Sequence, residues 1–384
     1  MSKLGLRKNF QPSGSARPVK TSFSSFNEAT ASPLSDKTSF SSPESKPEES
    51  QFFRKPSKNS KSEKRLADHI INKQKKFSER VGQIFSLSLS EAEDLINTSS
   101  MQAVRASVKF KDGFNYESEL AKLGVELEKI TWSPVNAWWV KSGCSELNKS
   151  SFIEAGELYV QNAASFLPIM ALAPKKNDKV LDLCAAPGGK SDLILSLGTD
   201  PENLCINDNS KVRFFKMKKR FDALGLDINY SIYNLKNITR HKKDYAEFFD
   251  KITLDAPCSN EASIKLNKPR SLKHWSEAHI KRLRDIQRAG ILAAFDFLKP
   301  GGTLVYSTCT FAPEENEGVV QLLLKKRERA RISEISFKGV PEALDGLSSW
   351  RQKPLDVYGP IEKCIRVKPS KKMHGFFLVK ITKV

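Results

Sequence analysis

Two thiols and a carboxylate stand where a chain can do covalent chemistry. Asp255-Ala256-Pro257-Cys258-Ser259 ends the apolar run Lys251-Ile252-Thr253-Leu254, and Tyr306-Ser307-Thr308-Cys309-Thr310 ends Gly302-Thr303-Leu304-Val305. Both runs read as buried strands. If they are neighbours in one sheet, Cys258 and Cys309 reach the same edge and converge on one pocket. A single cysteine is more often a small buried hydrophobe, but a pair at strand ends beside Asp255 is much harder to explain as packing.

The second signal is Val180-Leu181-Asp182-Leu183-Cys184-Ala185-Ala186-Pro187-Gly188-Gly189-Lys190-Ser191, a strand running through a loop of small residues into a helix. Small side chains let the backbone close on a ligand, and the first amides of the helix offer donors to a carboxylate or phosphate. Asp208 ends the following strand, where a carboxylate accepts both hydroxyls of a ribose. Together they imply a nucleoside-bearing cofactor. Gly188-Gly189-Lys190-Ser191 matches the end of a P-loop, yet that motif needs Gly at the place of Cys184, and no G-x-G-x-x-G fingerprint is present. S-adenosylmethionine, with one ribose and one carboxylate, fits better than ATP or NAD. A Gly-rich turn without a ligand is the bland alternative, and Asp208 argues against it.

These pieces need a frame. Segments 179–183, 204–208, 229–234, 251–255 and 302–306 read as buried strands with helices between them, and 332–337 and 374–381 close the chain. Such alternation predicts a doubly wound, mostly parallel α/β sheet whose ligands bind at the carboxyl ends of its strands. It occupies 158–384. Ahead of it, 64–157 reads as a small α+β accessory domain. Its parts are helical spacing over 66–86, a helix capped at Ser90-Glu91-Ala92-Glu93, a strand over 103–110, a helix over 118–123, and a strand ending at Trp138-Trp139-Val140. The Trp pair could stack bases, although large aromatics at a domain junction more often pack.

The first 66 residues hold 16 Ser and 6 Pro, with 13 Lys/Arg against 6 Asp/Glu. They cannot bury enough surface to offset chain entropy, and 1–63 is expected to be a disordered basic tail. Up to Asn27 it has five basic residues and no acidic one, which also suits a mitochondrial transit peptide, but Pro12, Gly14 and Pro18 oppose an amphipathic helix. The expected compartment is the cytoplasm, with the mitochondrion as the alternative.

The 384 residues carry a formal charge of +19 and a pI near 9.5, which favours a polyanionic partner. No apolar run reaches the ~18–20 residues of a membrane span. The six cysteines form no C-x-x-C pair, which disfavours a disulfide scaffold or a four-ligand zinc site and favours a reducing compartment. The five histidines show no ligand spacing, so no metal is expected.

The sequence closely resembles the Nop/Sun family of RNA 5-methylcytosine methyltransferases, which includes the bacterial RsmB-like proteins. The resemblance rests on the 183–190 loop, on Asn207-Asp208 with Ser210 and Arg213, and on Asp255-Ala256-Pro257-Cys258-Ser259. It continues in Ser307-Thr308-Cys309-Thr310 with Glu314-Glu315-Asn316-Glu317, in Gly375-Phe376-Phe377, and in the lead-in Tyr159-Val160-Gln161-Asn162-Ala163-Ala164-Ser165. It covers about 155–384, with a looser match over 66–154. It implies a seven-stranded, Rossmann-like class I methyltransferase domain acting on RNA, rRNA ahead of tRNA, as a monomer.

Carbon 5 of cytosine is a poor nucleophile, so a thiolate must first add at carbon 6. The resemblance makes Cys309 that nucleophile, Asp255 the acid that protonates ring nitrogen 3 if burial keeps it neutral, and Cys258 the assistant that clears the adduct. DNA cytosine methyltransferases use the Pro-Cys thiol instead, so the reversed assignment is the competing one. The cofactor set comprises Cys184, Ala185, Ala186, Pro187, Gly188, Gly189, Lys190, Asp208, Arg213, Asn234 and Asp255.

Two departures from the family stand out. Asn260-Glu261-Ala262 replaces the Gly-rich pair that usually follows Pro-Cys-Ser, and Asn234 stands where an Asp usually meets the adenine. Lys265, Lys268, Arg270, Lys273 and Trp275 follow the Cys258 motif and are expected to grip phosphates and stack a flipped base. The run 211–220 carries six basic residues, and charge runs of this kind are usually just solvated faces. A ribosome-assembly factor with a methyltransferase fold and lost catalysis is the alternative function. An amino-group methyltransferase would want an Asn/Asp-Pro-Pro-Tyr motif where Asp255-Ala256-Pro257-Cys258 stands.

Overall fold

Helix-spaced apolar residues give α1 (Ser60–Phe85) and α2 (Leu89–Asn97) in a computed structural model that describes residues 60–337, 339–340 and 343–384. The tail expected over 1–63 lies outside the described residues as far as residue 59. Ile70–Val384 forms one compact unit, and the start of α1 groups outside it. α2 begins two residues earlier than expected because Ser88 makes a full capping box: its hydroxyl accepts the Glu91 N–H, and the Glu91 carboxylate accepts the Ser88 N–H at 2.8 Å. Phe77, Val81, Ile84, Leu95 and Ile96 pack on Ala262, Leu272, Trp275 and Phe311. The two helices therefore form a wall behind the segment that follows Cys258.

A four-stranded antiparallel sheet comes next, built from β1 (Ala103–Ala106), β2 (Glu126–Lys129), β3 (Ala137–Ser142) and β4 (Leu158–Gln161) in the order β2-β3-β1-β4. Trp138 and Trp139 are buried in it, so neither ring offers a face to a base.

The main sheet holds β5 (Val180–Asp182), β6 (Leu204–Asn207), β7 (Asn229–Ser231), β8 (Phe249–Asp255) and β9 (Leu298–Thr308). It continues with β10 (Ala330–Ser333) and β11 (Ala343–Asp345). After a small ladder of β12 (Ser349–Trp350) and β13 (Lys353–Pro354) come β14 (Ile365–Val367) and β15 (Phe376–Lys383). β7, β6, β5, β8 and β9 run parallel in that order, and β15 lies antiparallel beside β9. Four helices cross over or flank the sheet: α3 (Gly189–Ser196), α4 (Lys211–Ala223), α5 (Glu277–Phe297) and α6 (Glu317–Lys326). The doubly wound α/β architecture is as expected.

The sheet has nine strands rather than seven. The outer edge of β15 is shared: β10 pairs with its second half, and β14, backed by β11, pairs with 376–378. Strands of three residues are too short to show alternation, which is why the pair was missed. Because β6 and β8 flank β5 and the chain reverses there, the crevice at the carboxyl ends of β5 and β8 is the ligand position of such a sheet.

A buried charge network ties the small sheet to α3. The Arg105 side chain, 0% exposed, donates to Asp192 Oδ1 at 2.7 Å and to the Gly189 carbonyl at 2.6 Å. Ser107 and Arg220 serve Asp192 Oδ2 at 2.7 and 2.8 Å. Removing one partner from a buried pair leaves a desolvated charge. Arg105→Met is therefore expected to lower stability by about 3 kcal/mol in urea unfolding, the remaining Arg220 bond preventing a larger loss.

Candidate active site

Asp255 and Ser307 are partners in the parallel ladder of β8 and β9, so the loops leaving the two strands start side by side. Each then carries its cysteine to the same point. Cys258 Sγ and Cys309 Sγ lie 3.3 Å apart, both partly buried and both free. The neighbouring residues lock the loops together: the Ser259 and Thr310 hydroxyls meet at 2.7 Å, and the Ala262 N–H donates to the Cys309 carbonyl at 3.2 Å. The adjacent Cys309 thiol, and then burial, hold the Cys258 thiol well above its ordinary value.

Asp255 accepts on both oxygens, from Lys190 Nζ at 2.6 Å and from the Ser307 hydroxyl at 2.9 Å. The expected neutral acid rested on burial, whereas the Asp255 side chain is partly exposed and lies against an ammonium. Burial pulls Lys190 down, but Asp255 outweighs it and the ammonium ends above its ordinary value. Lys190 thus faces the reaction side of the pocket as well as the cofactor loop, a link that motif reading alone missed.

Asn260 is the second residue whose role was missed. It adopts a left-handed backbone, φ 54° and ψ 38°, which explains why Gly is usual there and why Asn is the side chain best able to replace it. Its amide oxygen accepts from the Cys309 thiol at 3.1 Å and from the Ser263 hydroxyl at 2.8 Å.

Below the thiols, four consecutive side chains each hold a different piece. Glu314 takes the Arg80 guanidinium and the Trp350 N–H. Glu315 accepts the Ser259 N–H at 3.0 Å and Gln287 Nε2 at 2.7 Å. Asn316 accepts from Thr308 Oγ1 at 2.6 Å and donates to the Thr310 carbonyl at 2.9 Å. Glu317 forms a two-pronged pair with Arg366 of β14, at 2.7 and 2.6 Å. Burial pushes Glu315 up to about 7, against the hydrogen bonds from Ser259 and Gln287.

A family model described as 16S rRNA methyltransferase RsmB/F matches residues 169–382, more than half of the chain. The chain belongs to the Nop/Sun family of RNA 5-methylcytosine methyltransferases. The 25S rRNA (cytosine-C(5))-methyltransferase nop2 of Schizosaccharomyces pombe is 30% identical over 322 residues, covering 80% of this chain and 50% of that protein. The tRNA (cytosine(49)-C(5))-methyltransferase of Pyrococcus abyssi is 31% identical over 261 residues, 67% of this chain and 80% of that one. The chain spans about half the length of the first curated relatives it matches. NSun6 from Pyrococcus horikoshii, solved with SFG, shares the fold with a TM-score of 0.65 at 21% identity, over 80% of this chain and 97% of that one.

The cofactor of the Nop/Sun family is S-adenosylmethionine, and the loop here has the chemistry to hold it. Gly188 turns at φ 106° so that α3 begins at Gly189, leaving the first N–H groups of that helix without intrahelical partners, as a carboxylate requires. Asp208 is buried at the end of β6, positioned by the Ala186 and Ser210 N–H groups at 3.1 and 2.9 Å. Asp182 is fully buried with Oδ1 making no hydrogen bond, an orphan oxygen that suits a cationic ligand; burial pushes it up to about 7, against the Ser191 hydroxyl. Cys184, Ala185 and Ala186 line the same turn, and Pro187 is its exposed tip. Arg213 donates to the Ala186 carbonyl, so it braces the loop.

Asn234 needs correction. It is exposed, and its amide oxygen accepts the N–H of Lys236 at 2.9 Å, the habit of a turn residue. The buried amide at that corner is Asn207, which accepts from Tyr233 N–H at 2.7 Å and donates to the Leu183 carbonyl at 2.9 Å.

The loop after Cys258 also differs from expectation. Trp275 is 6% exposed, its N–H donates to Glu261 at 2.7 Å, and its ring packs edge-on against Phe77. It is core, and cannot stack a base. Lys265 donates to the carbonyls of Ile96 and Thr98 and so clasps the end of α2. Lys268, Arg270 and Lys273 are exposed.

Glu315 gives a pH test. Its native pKa lies near 7 against an ordinary 4.5, so in this window the native state holds the proton that the unfolded state has lost, and stability falls as pH rises. Glu315→Gln is expected to flatten the urea-unfolding profile by about 3 kcal/mol between pH ~4.5 and ~7, leaving the similar slope from Asp182. Asn260 gives a backbone test. Asn260→Ala should cost about 1–2 kcal/mol more than Asn260→Gly in the same assay, since both lose the thiol contact and only Ala opposes the positive φ.

Proposed function

We propose that this chain transfers a methyl group from S-adenosylmethionine to carbon 5 of a cytosine in RNA through a covalent Cys309–cytosine adduct, which Cys258 helps to resolve. The observation that carries the proposal is the 3.3 Å approach of the two thiols at the ligand edge of the sheet, two and three residues beyond the Asp255–Ser307 pairing. The Thr308-Cys309 motif, with Glu315-Asn316-Glu317 downstream of it, supports Cys309 as the attacking sulfur over the reversed assignment.

Addition of Cys309 to carbon 6 builds charge on the ring, which a proton at nitrogen 3 relieves. Lys190 Nζ lies 2.6 Å from Asp255 Oδ2, and a proton of that ammonium can reach ring nitrogen 3 through Asp255. The bound cofactor supplies the methyl group as an electrophile on a sulfonium. Cys258, beside the adduct, then assists removal of the carbon-5 hydrogen so that Cys309 can leave.

Relatives named for rRNA and one named for tRNA both resemble this chain, and we place rRNA first. The segment 64–157 serves as an RNA-binding accessory domain ahead of the catalytic domain, 158–384, and the protein acts as a monomer. Six free cysteines support a reducing compartment such as the cytoplasm. Among the described residues no helix is long and apolar enough to cross a membrane, and no three His, Cys, Asp or Glu side chains group as a metal site would need.

Cys309→Ala is expected to abolish transfer of labelled methyl groups to RNA without forming an adduct, whereas Cys258→Ala remains covalently bound to RNA on denaturing gels. Normal turnover by both variants sinks the two-thiol mechanism. RNA binding by the native protein with no methyl transfer would favour the assembly-factor alternative. Bisulfite sequencing of rRNA and tRNA from cells with and without the gene identifies the target.

A further inference from the structure

α4 buries Phe214, Met217 and Phe221 and turns its other face to solvent. That face mixes apolar and cationic groups. Val212 is 83% exposed and Phe215 50%, one turn apart, and Lys211, Lys216 and Lys219 flank them, all exposed. Other cations of the helix are committed: Lys218 pairs with Asp222, Arg220 with Asp192, and Arg213 with the Ala186 carbonyl. Among the described residues no carboxylate pairs with Lys211, Lys216 or Lys219.

The strip has a defined place. α4 begins three residues after Asp208, and its first turn touches the cofactor loop through Arg213. Lys211 therefore stands at the rim of the ligand crevice, and the strip runs away from it. From 211 to 219 the helix rises about 12 Å, room for about three consecutive phosphates. Five side chains are far fewer than the roughly 20–30 residues a side of a stable protein–protein contact. They suit a single nucleic-acid strand, which needs one aromatic face and a few cations.

We propose that this face of α4 is a second RNA contact, holding a single-stranded segment next to the target nucleotide. Phe215 stacks on one base, Val212 packs beside it, and Lys211, Lys216 and Lys219 neutralise successive phosphates. The contact lies on the cofactor side of the crevice, apart from the loop after Cys258. It rests on RNA being the substrate of the proposed reaction.

The test measures binding of a fluorescein-labelled single-stranded RNA oligonucleotide across a salt series, using the full chain. A Lys211→Gln, Lys216→Gln, Lys219→Gln triple variant should make the slope of log affinity against log salt shallower by about 2, three contacts at ~0.7 each. Phe215→Ala should weaken binding roughly tenfold with the slope unchanged. The three lysines are exposed, so the triple variant should melt as the wild type does; Phe215 also meets Phe214 edge-on at 5.5 Å, so its variant is compared at temperatures where both proteins are folded. If the wild type binds and both variants bind identically, the proposal is overturned while the methyltransferase reading stands. If the wild type itself binds no RNA, the RNA reading fails first and this one with it. Conversion of a dimer to a monomer by Phe215→Ala, with RNA affinity unchanged, would assign the face to self-association and overturn the proposal.

Discussion

The register of β8 against β9 is the constraint on which the rest depends. With Asp255 opposite Ser307, the two strands end level, and short loops bring one thiol from each to within 3.3 Å. A shift of one residue would turn alternate side chains to the opposite face of the sheet. Asp255 would then leave Lys190, and the Cys258 and Cys309 loops would no longer start level. Contacts this short tolerate little misplacement, so this ladder is under a tight geometric demand.

That demand explains why so much buried polarity lies beneath the site. Glu261, Glu315, Asn316 and Glu317 are almost fully inaccessible, and each accepts hydrogen bonds from backbone or side-chain groups of the cysteine loops or their supports. Desolvating charges contributes little net stability even when they are paired. What such groups supply is a unique geometry, since every alternative arrangement strands a polar atom. The extra strand β14 has the same purpose: it brings Arg366 to Glu317 and to the Phe311 carbonyl at 2.9 Å, just beyond Thr310.

The parts of this arrangement that were legible in the sequence are those with periodicity or dense local motifs. Strand–helix alternation announced the parallel sheet, and the Cys258, Cys309 and Gly188-Gly189 motifs announced its working edge. What escaped depends on partners distant in the chain. Lys190 reads as part of a cofactor loop, yet its ammonium lies against Asp255, 65 residues on. Lys265 and Trp275 look like an RNA grip because their composition is right, but packing of Trp275 on α1 and the bonds of Lys265 to the end of α2 decide otherwise. A tryptophan with a buried carboxylate for its N–H is indistinguishable in sequence from one waiting for a base.

Asn260 shows how a departure from family pattern can preserve geometry while changing chemistry. The left-handed backbone that Gly usually provides is kept, because Asn tolerates it better than other side chains. Unlike Gly, Asn adds an amide, and here its oxygen accepts from the Cys309 thiol. The Cys309 sulfur thus has two polar neighbours, the Asn260 oxygen at 3.1 Å and the Cys258 sulfur at 3.3 Å. A polar side chain in place of hydrogen also takes up space beside Cys309. The change thus acts on the surroundings of the Cys309 thiol, while the turn between the loops keeps its left-handed backbone.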